Sequence, residues 1–454
     1  MKHLFYIITT IHLSLVTVAH AQSNQLISVL KKNKINPEHV SFEIKKQNQV
    51  IDFVNANKKM IPASTSKLLT TFAVLKNFDL NFKFKTQLYI KGENLYIKGG
   101  GDPSFVSENM WYLVNIFYRS GLKKVNHIYV DDTLFDQVRF DESRESVRVD
   151  RSYDSPVGAM SFNWNSVNIF VKPTKDGSAA QVILDPENNY FKLVNKTKTE
   201  SGKKIKDLII DVDQDRRLIT VSGDVKQGAD EKAYYKNVAD PNLWTAENLK
   251  SFLNQRGISV TGQLATQKTP SDAELIAESE SRGIDSVLTD MNKFSNNFVA
   301  EMLTKQLASQ SGENPATLKT GVKQIELALN SLGLKQSDFE IENPSGFTRK
   351  NKITANALNK VLFAIEKDFK IFPSLIISLP ISGVDGTLKK RMKDDPLLGL
   401  VRAKTGYLDG AISLAGYLGR DNGEILHFSF LYNGPQDLHS VHQAIDQVLR
   451  LYLK

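Results

Sequence analysis

The chain has 454 residues, 24% charged and 41% hydrophobic, the composition of a globular protein too long for one ordinary core, so two or three domains are expected. It contains no cysteine, which excludes a disulfide framework, a thiolate nucleophile and a zinc-thiolate site. The formal net charge is +8, or +7 without Lys2, and its cations and anions are interspersed, a pattern suited to loose attraction to an anionic polymer and poor evidence for nucleic acid as a partner.

Residues 1–21 open with Lys2 and His3, run apolar from Leu4 to Ala19 and end in Ala19-His20-Ala21, a small-x-small cleavage pattern. This reads as a secretory signal peptide; the stretch is short for a membrane span and is interrupted by His12 and Ser14. Export without cysteine points to a bacterial envelope, periplasmic or otherwise exported. Val40 to Lys45 and Val50 to Asn55 flank Gln47-Asn48-Gln49 and predict a hairpin. A helix opening at Pro62 follows, with Leu68, Leu69, Phe72, Ala73 and Leu75 on its apolar face. Ser64 and Lys67, three positions apart, share one face of it.

Residues from about 86 to 240 are strand-rich, with runs such as Ile205 to Val212 and Leu218 to Val221 separated by polar turns. This block reads as an inserted domain of one or two lobes. Helical periodicity returns at 245–256, 285–309, 316–332 and 355–368. Leu400 to Thr405, Ala411 to Tyr417 and Glu424 to Tyr432 predict strands, the last two joined by Asp421-Asn422-Gly423. A final helix, from about Asp437 to Leu453, carries an apolar stripe that faces a core. The expected fold is α+β: residues 22–85 and 241–454 form one discontinuous domain, an antiparallel sheet flanked by helices, around the insert at 86–240.

Three short patterns carry chemistry: Ser64-x-x-Lys67, Ser295-Asn296-Asn297 within a predicted helix, and Lys404-Thr405-Gly406 at a strand end. In this order they match the set found in penicillin-binding proteins and serine β-lactamases. Decoys exist, since Lys319-Thr320-Gly321 repeats the third pattern and Ser161-Phe162-Asn163 the second. A serine hydroxyl needs a base within reach, and a lysine one turn away serves once burial and a second cation, here Lys404, lower its pKa. Backbone N–H groups at the Ser64 helix start and near Tyr407 suit an oxyanion. Ser295 is placed to relay a proton to a leaving amine, and Asn297 to hold Lys67 and a substrate amide. A Gly-x-Ser-x-Gly elbow is absent, and His439 and His442, on one helix without a third ligand, read as surface residues.

The stretches PASTSK (62–67), GGGDPSF (99–105), YDSPVGAMSFNWN (153–165), NPSGFTRKN (343–351), LPISGVDGTLKKRM (379–392) and AKTGYLDG (403–410) together resemble the D-alanyl-D-alanine carboxypeptidase/endopeptidase family, the class C low-molecular-mass penicillin-binding proteins. The resemblance spans nearly the whole chain past residue 21. It implies a transpeptidase-like domain interrupted between its first two motifs, hydrolysis of peptidoglycan stem peptides through a Ser64 acyl-enzyme, covalent inhibition by β-lactams, and no cofactor or metal. It implies catalytic roles for Ser64, Lys67, Ser295, Asn297 and Lys404, and substrate binding by Thr405, Gly406, Tyr407 and Arg349, the last of which reads equally as a surface cation. Two departures stand out: Asn343-Pro344 where the family usually has Asp-Gly, and Tyr407 where it usually has serine or threonine. Because that missing hydroxyl helps to bind a terminal carboxylate in the family, cross-bridge cleavage is expected to outrun trimming of terminal D-alanine.

Two other functions compete. A β-lactamase of the glutamate-assisted type needs Glu-x-x-x-Asn between the second and third motifs, and Glu326 to Asn330 has that spacing, although inside a predicted amphipathic helix. A non-catalytic peptidoglycan-binding protein would have no need of the five intact motif residues. Whether the protein forms a homo-oligomer stays open at this stage.

Overall fold

The computed structural model describes residues 24–146, 152–202 and 206–454, and the expected signal peptide lies outside the described residues. Both ends of the chain build one antiparallel sheet, in the order Val401–Leu408, Ala411–Gly419, Ile425–Asn433, Val40–Lys46 and Gln49–Val54. Its register sets Phe42 opposite Phe430 and Lys404 opposite Ala415. Side chains alternate between two apolar layers, as the pleat requires. Phe42, Leu414, Phe428 and Phe430 pack against Leu26, Leu30 and the Leu438–Arg450 helix. Ala415, Tyr417 and Leu431 face a helical layer containing Lys67–Asn77, Asn297–Gln310, Leu318–Asn330 and Ala355–Glu366. Every residue from Lys67 to Leu75 is buried, so this helix runs through the interior and does not lie on the surface with one apolar stripe.

The run expected as one helix over 285–309 is two, Ile284–Lys293 and Asn297–Gln310. Ser295 takes a left-handed φ of +55° between them. Asn296 then caps the second helix, its side chain accepting from the Val299 N–H, and this local bond outweighs continuation of the helix.

A second core holds a mixed five-stranded sheet in the order Leu264–Thr266, Ile128–Asp131, Asn94–Lys98, Lys85–Lys91 and Glu274–Glu280, together with helices Ser107–Arg119 and Pro241–Gln255. Glu274–Glu280 pairs with Lys85–Lys91, so the strands of this sheet run past the boundary expected at 241, as far as residue 280. Two three-stranded sheets, built from strands between 166 and 237, join the same core. Between Asp131 and Ser166 the chain makes an excursion out of this core. Phe135, Val157 and Ala159 pack in the helical layer beside the first sheet before Met160 and Phe162 return. Among the described residues, no helix is long and apolar enough to cross a membrane.

Candidate active site

Ser64 lies in a single 3-10 turn, Ala63–Ser66, and the α-helix begins only at Lys67, one turn later than expected. The turn is pinned from three sides. The Ser413 hydroxyl donates to the Pro62 carbonyl at 2.6 Å, and the Thr65 hydroxyl donates to the same oxygen at 2.7 Å. A Cβ on Gly406 would lie 2.6 Å from the Pro62 oxygen and 3.0 Å from the Ser64 nitrogen, so glycine lets the 401–408 strand press its backbone against the nucleophile turn. A Cβ on Gly346, whose φ is +76°, would lie 1.9 Å from the Ala63 oxygen, and this glycine brings the 343–351 loop in from the other side.

Lys67 Nζ is 3.2 Å from Ser64 Oγ, 2.6 Å from Asn297 Oδ1 and 2.6 Å from the Ser345 carbonyl. Three acceptors match the three hydrogens of an ammonium. Of these partners only Ser64 has a hydrogen to give back, so when Lys67 is neutral its lone pair is served by the Ser64 hydroxyl. On the opposite wall, Lys404 Nζ is 2.9 Å from Ser295 Oγ and 2.8 Å from the Thr405 carbonyl. The left-handed backbone at Ser295 sets this hydroxyl toward the strand.

Burial pushes the Lys67 ammonium down to about 7; Asp154 and Glu301 work against that fall, and Arg144 adds to it. Arg144 is thus a cation that joins burial at Lys67, beside the expected Lys404, whose repulsion with Lys67 is mutual. Lys404 is itself held well below the usual lysine range, by burial and then by Lys67. Under the pair sits a buried charge network. Arg144 makes a two-pronged bond to Glu301, at 2.8 and 2.7 Å, and Glu301 is one turn on from Asn297 in the same helix. Asn297 Nδ2 donates to Asp154 Oδ1 at 2.5 Å. Asn343 is buried and structural, donating to Ser143 and Glu301 and accepting from the Ser345 N–H, which fixes the carbonyl that faces Lys67.

Ser64, Ser295, Asn297 and Thr405 open into a cleft of about 560 Å³, with Tyr407 and Arg349 also on its wall. Tyr407 is 57% exposed, and Arg349 is held across the rim by Glu145 at 2.9 Å and by the Asp409 carbonyl at 2.8 Å. The Thr387 and Thr405 hydroxyls are 2.8 Å apart. Lys319 and Glu326 lie on the Leu318–Asn330 helix and do not line the cleft. Ser161 is buried, donating to the Gly158 carbonyl. His439 is exposed, but His442 is half-buried, and burial and then Arg391 push it down to about 3. Sequence reasoning missed Arg144, Asp154, Glu301 and Thr387 as parts of the site. Glu301 had a local signal, standing at i+4 from Asn297, and Asp154 and Thr387 lie in two of the stretches that carry the family resemblance; Arg144 had none.

A protein-family profile described as the D-Ala-D-Ala carboxypeptidase 3 (S13) family matches residues 22–452. The chain belongs to this family. It is a serine-type DD-peptidase. Among S13 relatives, the chain is 28% identical over 403 residues to the D-alanyl-D-alanine carboxypeptidase of Actinomadura sp. (strain R39), covering 84% of this chain and 74% of that one. It is 26% identical over 402 residues to the D-alanyl-D-alanine carboxypeptidase DacB of Haemophilus influenzae, covering 86% and 83%. The crystal structure of penicillin-binding protein 4 from H. influenzae has the same fold, with a TM-score of 0.79 at 23% identity over 94% of this chain and 99% of that one. A predatory peptidoglycan endopeptidase from Bdellovibrio bacteriovorus shares the fold more distantly, with a TM-score of 0.53 at 16% identity over 91% and 93%.

Proposed function

We propose that Ser64 is the nucleophile of this DD-peptidase and that it acts on peptidoglycan stem peptides outside the cytoplasm. The observation that carries the reading is the 3.2 Å contact between Ser64 Oγ and a buried Lys67 whose pKa sits near 7, at the floor of a cleft that also holds Ser295 and Thr405. Lys67, as the free amine, takes the Ser64 proton while Oγ bonds to the D-alanyl carbonyl carbon. The backbone N–H groups of Ser64 and Tyr407 serve as the oxyanion donors in this reading, which the close packing of Gly406 on the Ser64 nitrogen supports. The C–N bond breaks as the leaving amine takes a proton passed through Ser295, which Lys404 holds in place. Water then adds to the ester, returning a proton to Ser64 and releasing the new carboxylate.

Thr405, with Thr387 beside it, offers hydroxyls to a terminal carboxylate, and Arg349 offers a cation at the rim. Tyr407 carries its hydroxyl at the far end of an exposed ring and adds nothing at that point, which favours cross-bridge cleavage over trimming of pentapeptides. The complexed H. influenzae structure carries a β-lactam, and the same acylation chemistry at Ser64 makes this chain a β-lactam target. The leader-like residues 1–21 support export. Digestion of purified cross-linked muropeptides followed by mass spectrometry tests the reading. Loss of cross-linked dimer with release of monomers is expected; an unchanged muropeptide profile from unlabelled enzyme, a parallel sample of which takes up a β-lactam label covalently, would remove peptidoglycan as the substrate.

A further inference from the structure

We infer that Asp154, carried on the excursion of the inserted part, is a positioning residue for the Ser64–Lys67 pair, acting through the side-chain amide of Asn297. The inference rests on the reading of Lys67 as the base. An amide has two different ends, and a carboxylate can only accept. With Asp154 Oδ1 2.5 Å from Asn297 Nδ2, the amide has one satisfactory orientation, and it sets Oδ1 2.6 Å from Lys67 Nζ. Turned over, the amide would face an oxygen with an oxygen and an ammonium with an NH2.

The charge balance points the same way. Facing Lys67 are Arg144 and Asp154 from the excursion, Glu301 from the Asn297 helix and Lys404 from the strand. Arg144 and Glu301 largely cancel each other through their two-pronged bond, and Lys404 is a like charge. Asp154 is the anion that most favours the Lys67 ammonium, the form reached when the Ser64 proton moves. All of these groups are buried, so their interaction is weakly screened. The position of the carboxylate is set from the inserted part: Arg144 donates to the carbonyls of Asp154 and Ser155, and the Ser155 hydroxyl donates to Asn237 at 2.8 Å. The inserted part thereby tunes a base that it does not carry.

The test is the pH profile of kcat/KM for the full chain on a synthetic peptide ending in D-Ala-D-Ala. The wild type is expected to lose activity as pH falls through about 7. Residual activity of Lys67→Ala should lack that acid limb; if the limb persists there, the assignment of Lys67 fails and not the inference about Asp154. Asp154→Asn keeps an acceptor of the same shape and removes the charge. It should move the limb to lower pH by about one unit or more and lower the plateau roughly ten-fold. Asp154→Ser removes the same charge in a smaller side chain, so the shift can be read from whichever variant folds. Asp154→Glu, which restores the charge, should return the limb toward the wild-type position. A limb that stays at the wild-type pH in folded Asp154→Asn or Asp154→Ser, with only the rate reduced, means that Asp154 merely packs and overturns the inference.

Discussion

The motif-bearing walls of the cleft and the 132–165 excursion behind them both supply polar groups to one site, yet they are built by different rules. On the walls, each functional side chain is fixed by its own element: Lys67 by the turn that holds Ser64, Ser295 by a left-handed link between two helices, Lys404 by strand register. In the excursion the two charged residues are fixed partly by each other and partly from another part of the chain: Arg144 donates to the carbonyls of Asp154 and Ser155 and to Glu301, and Asp154 accepts from Asn297. Local determination makes a pattern; mutual determination makes a network, and only the network depends on burial for its strength.

Removing a member from each side of this comparison should therefore give different kinds of failure. The largest effect is expected at Ser64: Ser64→Ala should bind no fluorescent penicillin covalently and turn over no substrate while melting like the wild type. Labelling of a folded Ser64→Ala protein would place the nucleophile elsewhere. Next comes the network. Arg144→Met leaves Glu301 buried without its partner and should cost about 3–5 kcal/mol of stability in denaturant unfolding. The exposed Arg216–Asp213 pair in the inserted part is the counterpart, and Arg216→Ala should cost about 0.5 kcal/mol or less. Equal losses from these two variants would contradict the distinction between buried and exposed charge on which the comparison rests.

Lys67→Ala should slow acylation roughly 10²-fold or more at constant stability, the usual cost of losing a general base. Because burial lowers the Lys67 pKa to about 7, the amine is protonated and inactive below that pH, and the wild-type acylation rate should rise through it and level off above. A flat rate between pH 5 and 9 in stopped-flow acylation would be incompatible with this role. The smallest effect is expected at Tyr407. A Tyr407→Ser variant should gain carboxypeptidase rate relative to endopeptidase rate by roughly ten-fold, since a hydrogen bond to a charged group contributes about 1.5–3 kcal/mol. Initial rates on a pentapeptide monomer and a cross-linked dimer decide it, and an unchanged ratio would mean that Thr405 and Thr387 already suffice.

How much could be read in advance follows the same division. The order of the three motifs, the sheet shared by the two chain ends and the run of strands between 86 and 240 were legible, because they rest on i to i+3 spacing, alternation and turn residues. The decoy at Lys319 was separable because helix periodicity runs through it. Less legible was anything set by a partner distant in sequence. Continuous helical periodicity over 285–309 hid the break at Ser295, which depends on Asn296 acting as a cap. The strand at Glu274–Glu280 reads E-L-I-A-E-S-E and carries little apolar signal, so its pairing with Lys85–Lys91 was invisible. Arg144 looked like an ordinary charged residue, and Asp154, although inside the 153–165 stretch, had no role that spacing alone could give it; burial makes both part of the site.

The pairing of Val40–Lys46 with Ile425–Asn433 also has a consequence in time. Chains emerge from the ribosome N-terminus first, so the strand at Val40 must wait for a neighbour that lies far downstream, at 425–433. Residues 85–281 carry every strand of their own sheet and can condense in the interval, whereas the edge of the early hairpin remains unpaired. The contacts that shape the Ser64 turn, from Gly406 and Ser413, arrive with the same late strands. The nucleophile turn therefore takes its shape only after residues 401–419 have been made, although Ser64 itself lies near the start of the described chain.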